Sequence, residues 1–248
     1  MMTSLGGAHR QKTFLLVHGS WHGSWCWAKV VAQLQNHGHN AIVLDLPGRA
    51  GDTTPAKEIT PDTQAEKICR VAGMQAGPVI LVGHSMGGMA VTQATERCCQ
   101  RIETLVYLCA FIPANGQSLL DVYQGGGTGM VLPNIVEDET AGTASFREDA
   151  PLREIFYHDC SAADFRRASA MLVPEPVAPR KIPVKTTPER YGRVRKVYIE
   201  CLEDRAIPPE IQKRMYTDTP CERVISMNAS HSPFLSKPEE LAAHLISI

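Results

Sequence analysis

Val79-Ile80-Leu81-Val82-Gly83-His84-Ser85-Met86-Gly87-Gly88 decides the fold. A short apolar run ends in the pattern G-x-S-x-G, and a segment of helical character follows, so Ser85 sits on a strand-to-helix turn. A serine on so tight a turn takes up strained backbone angles, and Cβ atoms beside it would strike the neighbouring strands. Glycine on either side removes that collision. The turn lifts the serine Oγ clear of the backbone and sets it at a helix N-terminus, where partial positive charge favours an oxyanion. A glycine-rich turn with an accidental serine is the bland alternative, and the strand before it and the helix after it weigh against that.

Outward from this turn the first half of the chain alternates short apolar runs with longer mixed segments. Phe14 to Val17 is strand-like and stops at His18-Gly19. Trp27 to Gln35 carries apolar positions at helical spacing, closed by His37-Gly38-His39. Ala41 to Leu44 is a second buried run, Thr60 to Ala72 reads as a helix, and Thr104 to Phe111 is a fourth apolar run. This rhythm implies βαβ units in an α/β fold, with a mostly parallel central sheet and helices on both faces.

The rhythm breaks after Pro113. Eight of the 17 prolines lie from Pro113 to Pro188, together with the glycine cluster Gly125 to Gly129. No period-2 strand stands out there, and Leu152 to Met171 has the makings of helices. Sheet logic returns at Val194 to Leu202 and at Arg223 to Met227, and a helix runs from Pro238 to the end. Residues 1–112 and 194–248 therefore form the expected core, and 113–193 a small helical cap inserted into it. A second independent domain is the alternative, but about eighty residues so rich in proline make a weak core.

Composition narrows the partners. The 248 residues carry 25 Lys+Arg and 26 Asp+Glu, a net charge of −1, which excludes a polyanion-binding protein because phosphate contacts need clustered positive charge. With 44% hydrophobic and 21% charged residues the chain can bury a full core. The eight cysteines form no C-x-x-C pair, which removes zinc-ribbon and thioredoxin-like readings. Most are expected to be reduced core residues of a cytoplasmic protein, with Cys26 near the pocket. The segment MMTSLGGAHRQKT lacks an apolar stretch of the secretory kind, and no run approaches the ~18 residues that span a bilayer. A homodimer is compatible with all of this.

A nucleophilic serine needs a base and an acid, in the chain order Ser, acid, His. His231 and His244 lie late enough. His244 falls in the last helix among Leu241, Leu245 and Ile246, a packing position. His231 follows the apolar run ending at Met227, where a strand end delivers a side chain to the carboxyl edge of the sheet, and it is the expected base. The acid should follow the preceding strand, where Glu203 and Asp204 are adjacent; Asp204 is preferred on position, to fix the imidazole tautomer and stabilise the imidazolium. Backbone N–H groups of Met86 and of Ser20 or Trp21 are the expected oxyanion donors, Ser20 being preferred.

Together FLLVHGSWHGSWCW, VILVGHSMGGMA, LCAFIP, YIECLEDRAIP and NASHSPFLSKPEEL resemble an α/β-hydrolase, and most of all the plant-type methylesterase and hydroxynitrile lyase family. The likeness runs through nearly the whole chain, with the motifs in the right order. It implies a cofactor-independent hydrolase with a small helical cap, and it carries the roles onto Ser85, Asp204, His231 and the Ser20 and Met86 amides. Lyases of the family have a threonine after the first-strand histidine and a lysine after the catalytic one. Here Gly19 and Ser232 stand at those places, so no cation is on hand to receive cyanide. Methylesterases usually have an apolar residue where this chain has Ser232.

The expected activity is cleavage of a small, largely apolar carboxylic ester through an acyl-enzyme. A carbamate or amide hydrolase with the same triad, a hydroxynitrile lyase and a non-catalytic binding protein on this fold are the alternatives. No metal is expected: His18-x-x-x-His22 has a metal-like spacing but lies in a glycine-flanked loop without a third ligand. Trp21, Phe111, Tyr123, Phe156 and Met171 are candidate pocket residues, though most such residues simply pack.

Overall fold

The computed structural model describes residues 10–124 and 129–248; Gly125, Gly126 and Gly127 of the glycine cluster lie outside them. Six strands form one sheet in the order β2-β1-β3-β4-β8-β9. They are β1 (Thr13–Val17), β2 (Asn40–Leu44), β3 (Val79–His84), β4 (Ile102–Leu108), β8 (Arg195–Cys201) and β9 (Arg223–Met227). Every neighbouring pair in the sheet is parallel.

Alternation along the strands explains why both faces need covering. In β1, Leu15 and Val17 enter one core with Leu81 and Leu105, while Phe14 and Leu16 enter the opposite core with Ile80 and Val106. The first core is closed by α2 (Pro61–Gly73) and α3 (Gly87–Cys98), through Ile68, Ala72, Met89 and Ala90. The second is closed by α1 (Ala28–Asn36) and α8 (Pro238–Ile246), through Val30, Leu34, Leu241 and Leu245. Each fully buried Leu or Ile contributes roughly 1.5–3 kcal/mol. Thr60 caps α2: its Oγ1 accepts the Thr63 N–H, and its own N–H donates to the Thr63 hydroxyl oxygen, with Pro61 as the first helical residue.

Between β4 and β8 the described residues contribute no strand to this sheet. This segment carries α4 (Leu119–Gln124), α5 (Leu152–Phe156), α6 (Ala162–Ala170) and α7 (Ala178–Lys181). It also holds a second sheet that the sequence did not announce: β5 (Ile135–Asp138), β6 (Thr143–Phe146) and β7 (Glu175–Pro176), antiparallel in that order. Two of these strands have four residues and the third has two, one of them proline, which leaves no periodicity to read. Gly142, at φ 70, closes the β5–β6 turn by donating its N–H to the Asp138 carbonyl.

The cysteines depart from the expectation at one pair. Cys69 of α2 and Cys98 of α3 are joined as a disulfide. Cys26, Cys109, Cys160 and Cys201 are free and buried, and Cys99 and Cys221 are free and half-buried.

Candidate active site

Ser85 has φ 54, a left-handed conformation rare for a residue with a side chain. The turn is held because the Ser85 carbonyl accepts N–H groups from Gly88 and Phe111, at 3.0 and 3.1 Å. The glycines around it are steric requirements. A Cβ on Gly83 would stand 2.6 Å from Val91, one on Gly87 2.7 Å from the His18 carbonyl oxygen, and one on Gly88 2.1 Å from that of Phe111. Strain of this kind costs about 1–3 kcal/mol and persists only where the surroundings impose it.

His231 emerges from the loop after β9, and Asp204 from the loop after β8. The two meet: His231 Nδ1 lies 2.7 Å from Asp204 Oδ2. A carboxylate only accepts, so Nδ1 carries the hydrogen and Nε2 keeps its lone pair. Asp204 is itself held. Its Oδ1 accepts from the Ala206 and Ile207 amides at 2.8 and 2.9 Å, and its Oδ2 from Gln212 Nε2 at 3.2 Å. Glu203, the neighbour sequence position could not fully separate from it, is exposed. The His231 carbonyl accepts from His84 Nε2 at 2.9 Å, which anchors the backbone on the other side. Burial lowers the His84 pKa well below the ordinary histidine value, so this donor is a neutral imidazole.

Glu175 separates the two candidate donors of the first loop. Its Oε2 accepts the Trp21 N–H at 2.7 Å, which leaves the Ser20 amide as the free one. Among the described residues neither the Ser20 nor the Met86 N–H is taken by a backbone carbonyl. The Ser20 hydroxyl donates to Met86 Sδ at 3.1 Å, tying the two segments together. His22 donates from Nδ1 to the Ser20 carbonyl at 2.8 Å and accepts the Tyr157 hydroxyl at Nε2, 2.7 Å. His18 donates from Nδ1 to the Gly19 carbonyl and accepts the Leu46 N–H at Nε2. Burial lowers them to about 3 and about 4, so both are neutral supports of the loop. All four ring nitrogens of the metal-like pair are thus occupied. His84, Cys109 and His231 also cluster, with burial pushing the Cys109 thiol up.

Arg49 and Glu175 form a buried ion pair behind this loop. Arg49 Nε also donates to the His22 carbonyl at 3.0 Å. Burial raises the Glu175 pKa, and Arg49 opposes the rise. Sequence reading passed over both residues, because a charge becomes informative only once its burial is known.

Ser85, His231, Ser20 and Met86 line one cavity, which encloses about 440 Å³ including its open mouth. A hydrogen bond between Ser85 Oγ and His231 Nε2 is not formed among the described residues; free enzymes often tighten this contact only with substrate. Trp21, Phe111, Tyr123 and Phe156 belong to the wall, as do Leu119, Leu132, Ile207 and Arg180, which the sequence did not single out. Met171 is a correction. It caps the C-terminus of α6, half-buried, outside the cavity lining. Cys26 is also outside that lining, buried in the core formed with Trp27 and Phe14. Ser232 is fully buried, its hydroxyl without a partner among the described residues, and it does not line the cavity.

Residues 14–244 match the alpha/beta hydrolase family, and the chain belongs to it. Methylesterase 7 of Arabidopsis thaliana is 30% identical over 260 residues, covering 97% of this chain and 97% of that protein. Salicylic acid-binding protein 2 of Nicotiana tabacum is 31% identical over 253 residues, covering 96% of each. The crystal structure of polyneuridine aldehyde esterase superposes with a TM-score of 0.85 at 26% identity, over 96% of this chain and 99% of that one. Within the alpha/beta hydrolases, then, the chain is a member of the plant-type methylesterase family and a carboxylic ester hydrolase. Among the described residues no helix is long and apolar enough to cross a membrane.

Proposed function

We propose that the chain hydrolyses methyl esters of small, largely apolar carboxylic acids with Ser85 as nucleophile, His231 as base and Asp204 as its orienting acid. The observation that carries this is the His231 Nδ1–Asp204 Oδ2 contact of 2.7 Å at the wall of the cavity that also holds Ser85. Methyl esters enter from the relatives, among them a methyl jasmonate esterase of Vitis vinifera, 30% identical over 96% of this chain.

His231 Nε2 takes the Ser85 proton as Oγ bonds to the carbonyl carbon. The tetrahedral oxyanion is received by the Ser20 and Met86 amides. Collapse breaks the bond to the methoxy oxygen, and methanol leaves with the proton from His231. Water then gives its proton to His231 and attacks the acyl-enzyme, Ser85 regains its proton, and the carboxylic acid is released. Segment 113–193 serves in this reading as a cap on the core formed by 1–112 and 194–248. Gly19 supports the esterase over the lyase reading: a Cβ there would stand 2.7 Å from Ser85 Cβ, so the lyases' threonine has no room.

Ser85→Ala assayed on short p-nitrophenyl esters tests the mechanism; undiminished turnover sinks it. A cytoplasmic setting is supported by the six free cysteines, and the Cys69–Cys98 disulfide pulls the other way. Thiol trapping in cells decides between them. The near-neutral charge argues against nucleic acid, and light scattering separates the homodimer from a monomer.

A further inference from the structure

Arg180, on α7, lines the cavity that holds Ser85 and His231, yet it is only 3% exposed. Among the described residues its guanidinium makes one hydrogen bond, from Nη1 to Glu137 Oε1 at 3.4 Å, which is long. Glu137 is shared, since Lys181 Nζ donates to its other oxygen at 2.7 Å. The second nearby carboxylate, Glu175, is engaged by Arg49. Among the described residues Glu137 and Glu175 are the carboxylates that act on Arg180, and each is shared with a second cation, Lys181 and Arg49 respectively.

A buried cation costs several kcal/mol unless it is paired. A guanidinium presents five N–H donors in a rigid fork that matches a carboxylate two-to-two. Arg180 lines the cavity, and among the described residues its Nε and Nη2 have no hydrogen-bond partner, which leaves them for a ligand. Around it the wall is apolar, with Phe111, Leu119, Leu132 and Ile207. Such a wall suits a hydrocarbon spacer, and a cation set into it suits a fixed anionic group.

We propose that Arg180 is a specificity-determining residue that binds a carboxylate on the acyl chain, so that the preferred substrates are monomethyl esters of dicarboxylic acids with an apolar spacer. This rests on the esterase reading above and narrows it. The ester end meets Ser85, and the free carboxylate takes the guanidinium fork. The competing role for Arg180 is purely structural, holding α7 to β5 through Glu137.

The experiment compares monomethyl and dimethyl esters of succinate, adipate and suberate as kcat/KM with the full chain. The monomethyl ester is expected to lead its dimethyl counterpart by about tenfold at the best spacer length, and Arg180→Met to reduce that ratio by about 100-fold, chiefly through KM. Arg180→Lys keeps the charge without the fork and should recover about a tenth of the lost selectivity. A wild type that prefers the dimethyl esters, or an Arg180→Met variant that lowers both esters by one common factor, overturns the proposal. Binding separates this from a failure of the chemistry. Ser85→Ala, which cannot turn over, should bind free adipate, read by tryptophan fluorescence, and Ser85→Ala with Arg180→Met should lose at least tenfold in Kd. Equal binding by the two overturns the role of Arg180, whatever p-nitrophenyl acetate says of Ser85.

Discussion

Asp204 Oδ2 accepts a hydrogen bond from His231 Nδ1 at 2.7 Å, with the histidine side chain 1% exposed and the carboxylate sealed from solvent. The contact joins the ends of two adjacent parallel strands, β8 and β9. Three further donors fill the remaining lone pairs of Asp204, so the carboxylate has little freedom to turn elsewhere.

Asp204→Asn keeps the shape but offers an amide where a carboxylate stood, and the imidazole can then hold the wrong tautomer. A fall in kcat of about 10³–10⁴-fold is expected with the fold intact by circular dichroism. A variant within tenfold of wild type contradicts the assigned role.

Arg49 and Glu175 support each other in a buried setting while gripping the His22 carbonyl and the Trp21 N–H. Glu175→Gln strands the Arg49 charge and should cost about 3–5 kcal/mol in urea denaturation. In a double-mutant cycle with Arg49→Met the two losses should fall well short of additive. Strict additivity would show that the pair is not coupled.

His18, His22 and His84 are neutral in the fold, because burial holds them at about 4, about 3 and well below the ordinary value. Unfolded, each takes up a proton near pH 6.5. Between these limits the unfolded chain binds more protons, so stability is present above about pH 6.5 and is lost as pH falls toward 4. Each histidine contributes up to about 1.4 kcal/mol per pH unit. Thermal melts should show Tm dropping steeply below pH 6; an unchanged Tm between pH 7 and pH 5 would rule out buried neutral histidines.

Gly88 packs where an added Cβ would lie 2.1 Å from the Phe111 carbonyl oxygen, a backbone atom. Gly88→Ala should destabilise by about 3 kcal/mol and displace the turn that carries Ser85. Calorimetry together with ester turnover reads both effects.

Ser232 buries a hydroxyl that has no partner among the described residues. Ser232→Ala removes the unmet group and should raise stability by about 1 kcal/mol, seen as a higher Tm. A lower Tm would mean that the hydroxyl is satisfied in solution.

The alternation of apolar runs with helical segments made the central sheet readable, because a parallel strand covered on both faces must be apolar almost throughout. Val79 to Val82 and Thr104 to Leu108 show this directly. The small antiparallel sheet was not readable: Ile135–Asp138 is largely exposed and Glu175–Pro176 is two residues long. Met171 looked like a pocket residue because a methionine at a helix end carries no mark of direction. Arg180 did not, because an arginine is normally a surface group and only packing reveals one turned inward.

By itself, the sequence determined the α/β framework, the turn carrying Ser85 and the positions of Asp204 and His231, since strand length, glycine placement and chain order act over short distances. Only the tertiary structure decided which loop amide stays free, that Arg49 and Glu175 pair across 126 residues, and that Arg180 lines the cavity. Those depend on which charges lose their water when separate segments pack together, and burial is a property of the folded whole.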